Sequence, residues 1–442
     1  DGKHIPAESW AVCTNFFYLD PQTLRGRGGI RQTYTGSGQV CAMYYWDYED
    51  TLYWATTSNN LYKGGTLVSG PAENVTSMVS FGVGATPKLI VAEAKDAQDH
   101  TLHTYDGTTY ATLTGTDVPT AERLLVKDGK LWATCDTAFP SRVYYSKGGD
   151  EETWTTAYPD AGAFDVAPTA DGDIVDWIDA FGALYIFKQR GVYRVIGEPP
   201  DYRVYRIGSA DGVIAGTVAD VGKGILFCTS RGVFVVDPSG EVGTPNLAQR
   251  VYQNIDGELE TASAAYCPEA GAYIISSSGS KYMWVCNLNN RPDVWTHWYF
   301  GTTNMSCVYN GNGLWIGGTN GKVYSYDHDN EEDNTGSNSD VTPLQLVTAD
   351  WDMGSLVNRK AFYYLDGRLN LQENAACRVR TWKDGGHATA ITDDSLAAGA
   401  RNMIRTGYNV ERLSVQLDYG TLTGIPGFAG LRLYVKKLGA IK

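Results

Sequence analysis

Four carboxylates crowd one short stretch: Asp171, Asp173, Asp176 and Asp179. Two positioned acids, one protonated and one ionised, are what glycoside hydrolysis requires. Here three of the four alternate with apolar residues or flank glycine turns, in a chain that carries 50 acidic residues. Solvated loop acids are the expected reading. A second run, Asp327, Asp329, Glu331 and Asp333, alternates over a polar loop and offers the oxygen ligands that Ca²⁺ takes. The glycine of an EF-hand loop is missing and a linker carries acids for solubility, so no metal is expected there. Six histidines (His4, His100, His103, His297, His328, His387) form no HExxH pair or other cluster. Eight cysteines (Cys13, Cys41, Cys135, Cys228, Cys267, Cys286, Cys307, Cys377) fall in no CxxC spacing. Several lie inside apolar runs, which reads as buried reduced thiols. No GxSxG, phosphate-binding loop or dinucleotide fingerprint occurs. No catalytic, cofactor-binding or metal-binding residue is assigned, no cofactor is expected, and the chain is expected not to be an enzyme. Arg25 and Arg27 are candidates for a partner or phosphate contact, but their glycine-rich setting reads as exposed turns. Asn74-Val75-Thr76 and Asn304-Met305-Ser306 fit the glycosylation acceptor pattern. The opening DGKHIPAESW has no apolar signal core. Cytosolic synthesis is therefore expected, with the sequons unused.

The elements that would position these residues are strands. From about Asp171 to Asp237 one phrase occurs twice. A polar-apolar segment (Ile174 to Ile178; Val213 to Val218) leads to a glycine turn, then to an apolar run (Leu184 to Phe187; Ile225 to Cys228). An Arg-Gly turn follows (Arg190-Gly191; Arg231-Gly232), and a last run closes the unit (Val192 to Val195; Val233 to Val236). Short β-branched and aromatic runs between such turns are hairpin chemistry. Units of this kind start their closing strand near Leu61, His103, Val143, Val192, Val233, Tyr282 and Val323, at steps of about 40–50 residues. That period predicts a β-propeller of about seven blades over residues 34–328, because one blade cannot bury both its faces and a closed ring of blades buries them all. Tyr62, Tyr105, Tyr193, Phe234 and Tyr324, near the ends of closing runs, are expected to pack between blades. Residues 1–33 read as an entry segment. Residues 329–340 have no apolar residue and read as an acidic linker. Residues 341–442 alternate in strands, with Val410, Leu413, Val415 and Leu417 close to period two, and predict a small antiparallel β-sandwich. The fold class is all-β, with no long amphipathic helix.

The chain is long, 442 residues, with a net charge of −14. That balance argues against a broad nucleic-acid-binding face, which needs Lys and Arg to neutralise phosphates. No stretch of 18 apolar residues exists, so no membrane span is expected.

Two resemblances bear on function. Ser146 to Trp154, SKGGDEETW, partly matches the Asp-box turn of sialidase-like propellers, with its acid offset and the Gly-x-Thr-Trp ending absent. Such a box is a structural hairpin. Three other pieces resemble the tail nozzle or tail hub β-propeller proteins of short-tailed bacteriophages. They are the entry motif Trp10, Asn15 and Leu24-Arg25-Gly26-Arg27-Gly28-Gly29; RVYYSKGGDEETW with the phrase that follows it; and GTVADVGKGILFCTSRGVFVVD. Gly-Gly stands where that family has Pro-Gly after the arginine. The resemblance implies a virion protein of the tail, made in the host cytoplasm. Copies of it, six as a rule, would form a ring below the portal and adaptor proteins. The ring extends the DNA channel, retains the genome, lets DNA pass without specific contact, and carries fibres or spikes. Loop aromatics such as Trp295, Trp298 and Tyr299 are candidates for lateral contacts. The alternative is a glycan-binding or glycan-cleaving propeller that recognises a host receptor.

Overall fold

The computed structural model describes residues 2–4, 10–20, 23–68, 71, 73–82, 86–94, 102–115, 117–136, 138–154, 160–243, 259–288, 295–301, 303–328, 332–334, 338–340, 344–348, 358–370, 376–383, 392–397, 402–410, 413–419 and 427–440. Among them the structure is all-β, with one 3₁₀ turn at Leu259–Thr261.

Seven four-stranded antiparallel units form a seven-bladed β-propeller. The first strands are Val40–Trp46, Val75–Phe81, Arg123–Lys127, Ile174–Ala180, Ala219–Asp220, Ala262–Cys267 and Met305–Asn310. They neighbour one another around the axis, the seventh returning to the first. Tight turns join first to second strands. Asp128-Gly129 has both residues at positive φ, the geometry whose twist suits a two-residue hairpin. At Phe181-Gly182 even a phenylalanine is held at φ 50°, its ring edge-on to Tyr185.

Among the described residues seven separate apolar clusters hold the propeller, and each spans one pair of neighbouring blades. Trp46, Tyr53 and Leu61 of blade 1 meet Met78, Leu89 and Tyr105 of blade 2. At the closing seam Cys307 and Val323 of blade 7 meet Val40, Trp54 and Tyr62 of blade 1. Burying apolar surface between blades contributes roughly 25 cal/mol per Å², so the free energy sits at seams rather than within any single sheet. Tyr62, Tyr105, Tyr193 and Tyr324 are buried at such seams, as their positions predict, and Phe234 is half-buried.

The seventh blade is closed from the other end of the chain. Its fourth strand is Gly29–Thr35, paired with Lys322–Asp327. The entry segment set at residues 1–33 therefore runs into a propeller strand. Upstream, Trp10–Thr14 extends blade 6: Thr14 pairs in parallel with His297 on the outer strand Trp295–Tyr299. That sheet continues through Leu344–Thr348, Leu413–Tyr419 and Ala376–Lys383 to Thr392–Ala397. A second antiparallel sheet combines Phe16–Asp20, Thr23–Gly26, Gly427–Ala440, Asn358–Asn370 and Asn402–Val410, with Gly2–His4 alongside. Val415 and Leu417 are buried and Gln416 between them is not, which matches their alternation in the sequence. Within the stretch expected to be a plain linker, Glu332–Asn334 and Asn338–Asp340 form a hairpin. Its Asn334 pairs with Arg31 of the closing strand.

No helix of the described residues is long and apolar enough to cross a membrane.

Candidate functional site

The entry motif converges on a buried arginine. Thr23–Gly26 ends as a strand, and the chain then passes so close to blade 7 that a Cβ at Gly28 would stand 2.1 Å from the Asp327 carbonyl oxygen. Only glycine fits there. The neighbouring Arg27 is 1% exposed. All five of its guanidinium N–H groups are used. Nε donates to Asn15 Oδ1 at 2.9 Å. One terminal nitrogen donates to the Gly28 carbonyl and to Asp333 Oδ1, both at 2.8 Å. The other donates to the Tyr299 carbonyl at 3.0 Å and to Asp333 Oδ2. The cation lies 4.4 Å from the centre of the Phe300 ring. Asp333, itself buried, also accepts from the Ile30 amide at 3.0 Å.

Asn15 completes the arrangement. It adopts φ 60°, a left-handed conformation that Asn tolerates better than most residues. Its Oδ1 accepts from the Tyr299 amide at 2.6 Å, its carbonyl accepts from Arg27 N at 2.8 Å, and its amide donates to the His297 carbonyl at 2.7 Å. Entry segment, blades 6 and 7, and the post-propeller hairpin thus meet on one ion pair. Bidentate geometry with full hydrogen bonding is the condition under which a buried pair offsets its desolvation.

The expectation of an exposed Arg27 is therefore corrected. A cation surrounded by glycines looked like a solvated turn, but here the glycines let two backbones close over the side chain. Arg25 is half-buried and lies 2.8 Å from His328 Nε2, beside an open groove lined by Arg31, Glu269, Ser325, Tyr326, Asp327 and His328. Asp333 is spent on Arg27. Asp327 is exposed, and Asp329 and Glu331 lie outside the described residues. Among the described residues no three His, Cys, Asp or Glu gather to hold a metal ion.

The four acids of blade 4 do not converge. Asp171 accepts from Arg206 Nε at 2.7 Å and Tyr193 OH at 2.5 Å, and the Arg206 bond holds its carboxyl below the usual range. Asp173 is exposed. Asp179 is exposed at the opposite end of the strand, 2.9 Å from Lys127. Asp176 contradicts the solvated reading, because a bulge after Ile174 turns it into the seam with blade 5. It is 8% exposed and accepts from the Gly216 amide at 2.7 Å and its neighbour Trp177 N at 2.9 Å. Burial pushes its carboxyl above the ordinary range despite the Arg123 charge nearby.

Asp176 is one link in a series that laces the inner strands at every seam. Cys41 Sγ reaches the Val75 carbonyl, and Thr76 Oγ1 the Glu122 carbonyl at 2.8 Å. Cys135 Sγ reaches the Ile174 carbonyl at 3.3 Å. Ala264 N donates to the Gly216 carbonyl, and Val308 N to Ser263 Oγ. Tyr45 N donates to Tyr309 OH, closing the circuit.

The remaining candidates are structural. His103 stacks on Tyr110, and both meet the buried Glu93 carboxylate, at 3.1 and 2.8 Å. Burial would raise the Glu93 carboxyl, but these bonds more than offset it and hold it below the usual range. The side chain of His4, together with His100 and His387, lies outside the described residues. In the Ser146–Trp154 segment Asp150 accepts from Glu152 N and Thr153 Oγ1, and Trp154 is fully buried between blades 2 and 3, so it is a hairpin turn. Trp298 is core, stacked on Tyr326 at 4.9 Å, and is not available for a lateral contact; Trp295 and Tyr299 are half-buried. Cys41, Cys135, Cys228, Cys267, Cys286 and Cys307 are free thiols, and burial pushes that of Cys228 up to about 12. The side chains of Cys13 and Cys377 lie outside the described residues. Lys188 was not singled out from sequence. It is fully buried and donates to Ser141 Oγ and to the Val166 and Ala167 carbonyls.

No protein-family model matches the chain, and no curated protein matches it. Solved structures do resemble it. The extracellular domain of a hybrid two-component system of B. thetaiotaomicron has a TM-score of 0.51 at 14% identity, over 70% of this chain and 42% of that one. The Neurospora crassa Pan2 WD40 domain gives 0.45 at 8%, over 72% and 99%. The RRP9 WD40 repeats give 0.42 at 12%, over 68% and 99%. The chain thus spans less than half the length of the first of these, and likeness at this level of identity concerns the fold alone: the chain is a seven-bladed β-propeller.

Proposed function

We propose that the chain is a structural, non-catalytic virion protein of a tailed phage, assembling with copies of itself into a ring that extends the DNA channel. The observation that carries this reading is the use made of the entry motif. Asn15 and Arg27, two residues on which the resemblance to nozzle and hub proteins rests, join the entry segment to blade 6 and, through Asp333, to the post-propeller hairpin on blade 7. A mechanical part needs its pieces joined in this way.

Charge placement supports the same reading. On the face formed by the first-to-second and third-to-fourth turns, every blade exposes an acid: Asp50, Asp106, Asp128, Glu198, Glu241, Glu269 and Asp327. A polyanion sliding past such a face is repelled rather than held. In this reading the channel lies between copies.

Electron microscopy of the native particle, or of the purified chain at high concentration, tests the proposal. A ring, six copies being expected, coaxial with a DNA channel supports it. A persistent monomer found in no channel would sink it, and glycan binding by that monomer would favour the receptor-recognition alternative.

A further inference from the structure

Most outer strands of the propeller are short or are already covered. Blades 1, 2, 3 and 5 end in Thr66–Leu67, Tyr110–Thr112, Gly162–Asp165 and Val242–Gly243. Blade 6 is covered by Trp10–Thr14, and blade 7 is met by Glu332–Asn334. Blade 4 differs. Its outer strand Arg203–Ser209 runs seven residues, pairs on one side with Gly191–Ile196, and ends its sheet. Arg203 is exposed, and Tyr205 is 46% exposed. Among the described residues nothing pairs with its other side, and an uncovered edge of that length is a template for a further strand.

A second edge to which no further strand is paired among the described residues lies at the far end of the nine-stranded sheet. Thr392–Ala397, sequence TDDSLA, pairs only with Ala376–Lys383 among the described residues. Its six residues nearly match the blade 4 strand in length. Its charge is opposite, Asp393 and Asp394 against Arg203. Charged edges prevent pairing with their own kind. Here like edges repel and unlike edges attract, which selects a head-to-tail contact over a two-fold one. A contact between two different surfaces of one chain generates rings or open filaments.

We propose that the acidic edge strand Thr392–Ala397 of one copy adds to the blade 4 edge Arg203–Ser209 of the next. This rests on the ring reading above and names its lateral contact. The chain already builds a sheet this way, since Trp10–Thr14 adds to blade 6.

The test uses the full chain. Tyr205→Cys and Ser395→Cys chains are mixed at assembling concentration and oxidised. A disulfide dimer in the mixture, and in neither variant alone, is expected. In sedimentation, Arg203→Glu should raise the concentration needed for association by about tenfold or more, the cost of juxtaposing like charges. Mixing it with the Asp393→Lys, Asp394→Lys chain should recover most of that loss. Rings that form without the cross-link, and that ignore both charge reversals, would overturn this contact and leave the ring standing. Cross-linking to another protein of the particle in place of a second copy would overturn it too. Absence of any association, in solution or in the particle, would remove the ring and this contact together. The cross-link accompanied by open filaments would keep the contact and remove the ring.

Discussion

His297 stands where the entry strand joins blade 6. Its Nε2 lies 2.7 Å from Thr14 Oγ1, and its ring packs against those of Tyr282 and Trp284. Burial lowers its pKa to about 4. The folded chain therefore holds this ring neutral, while the unfolded chain protonates it near the ordinary value of about 6.5. Between these values the unfolded state binds more protons, so stability rises with pH across the window. The contribution is complete above about pH 6.5 and is lost as pH falls towards about 4. Its size is on the order of 3 kcal/mol. Carboxylates titrate in the lower part of the same window, so the informative quantity is a difference. The thermal midpoint of a His297→Gln chain should fall less between pH 6.5 and 4.5 than that of the native chain. Equal slopes would mean that His297 is solvated in the folded state. Neither this burial nor that of Arg27 could be read from the sequence. Arg27 and Asp333 are 306 residues apart, and no local pattern marks a cation whose counter-ion lies in an acidic, apolar-free stretch. The one available signal was glycine on both sides of Arg27, which marks close backbone approach as readily as it marks a turn.

Strands were legible where they carry their own punctuation. Each middle strand of a blade is an apolar run between turn residues, and its neighbours follow at once in the chain, so local chemistry specifies both strand and partner. Two elements lacked that support. Gly29–Thr35 closes blade 7, but its partner strand Lys322–Asp327 comes some 290 residues later, and its glycine-rich start resembles a loop. The inner strands are the other case. They carry bulges in blades 1, 2, 4 and 7 that break strict alternation and turn Cys41, Thr76 and Asp176 towards the next blade. In sequence Asp176 looks solvent-facing, yet it serves a seam, as Cys41 and Thr76 do. Replacing Asp176 tests the point. Asp176→Ala leaves the Gly216 and Trp177 amides without their acceptor and should cost about 1–3 kcal/mol, the penalty for unmet buried donors. Asp176→Asn removes the buried charge and keeps one acceptor, so it should cost less. Urea unfolding of both variants measures the difference. An alanine variant as stable as the native chain would show that apolar packing alone holds the seam between blades 4 and 5.

At the scale of the molecule, propeller and appended sheets are one mechanical unit, because the ends of the chain interleave. The first thirty or so residues supply strands to three sheets, and Asp333 neutralises a cation buried between blades 6 and 7. A chain ending at residue 328 would keep all seven blades yet leave Arg27 without its counter-ion. An unpaired buried charge is among the more expensive defects a fold can carry. The same substitution should therefore act with opposite sign in two contexts. In the full chain Arg27→Met strands Asp333 in an apolar seam and should destabilise by about 3–5 kcal/mol. In the chain ending at 328 it removes the uncompensated cation and should raise the thermal midpoint. Thermal unfolding of the four chains, long and short, native and Arg27→Met, gives both signs in one experiment. Destabilisation in both contexts would mean that Arg27 acts through packing on Phe300 and its bonds to Asn15 and Tyr299 rather than through Asp333. The sign reversal, if found, would show that the post-propeller hairpin supplies the counter-ion of the closing seam, and that this hairpin is held to the propeller by charge as well as by strand pairing.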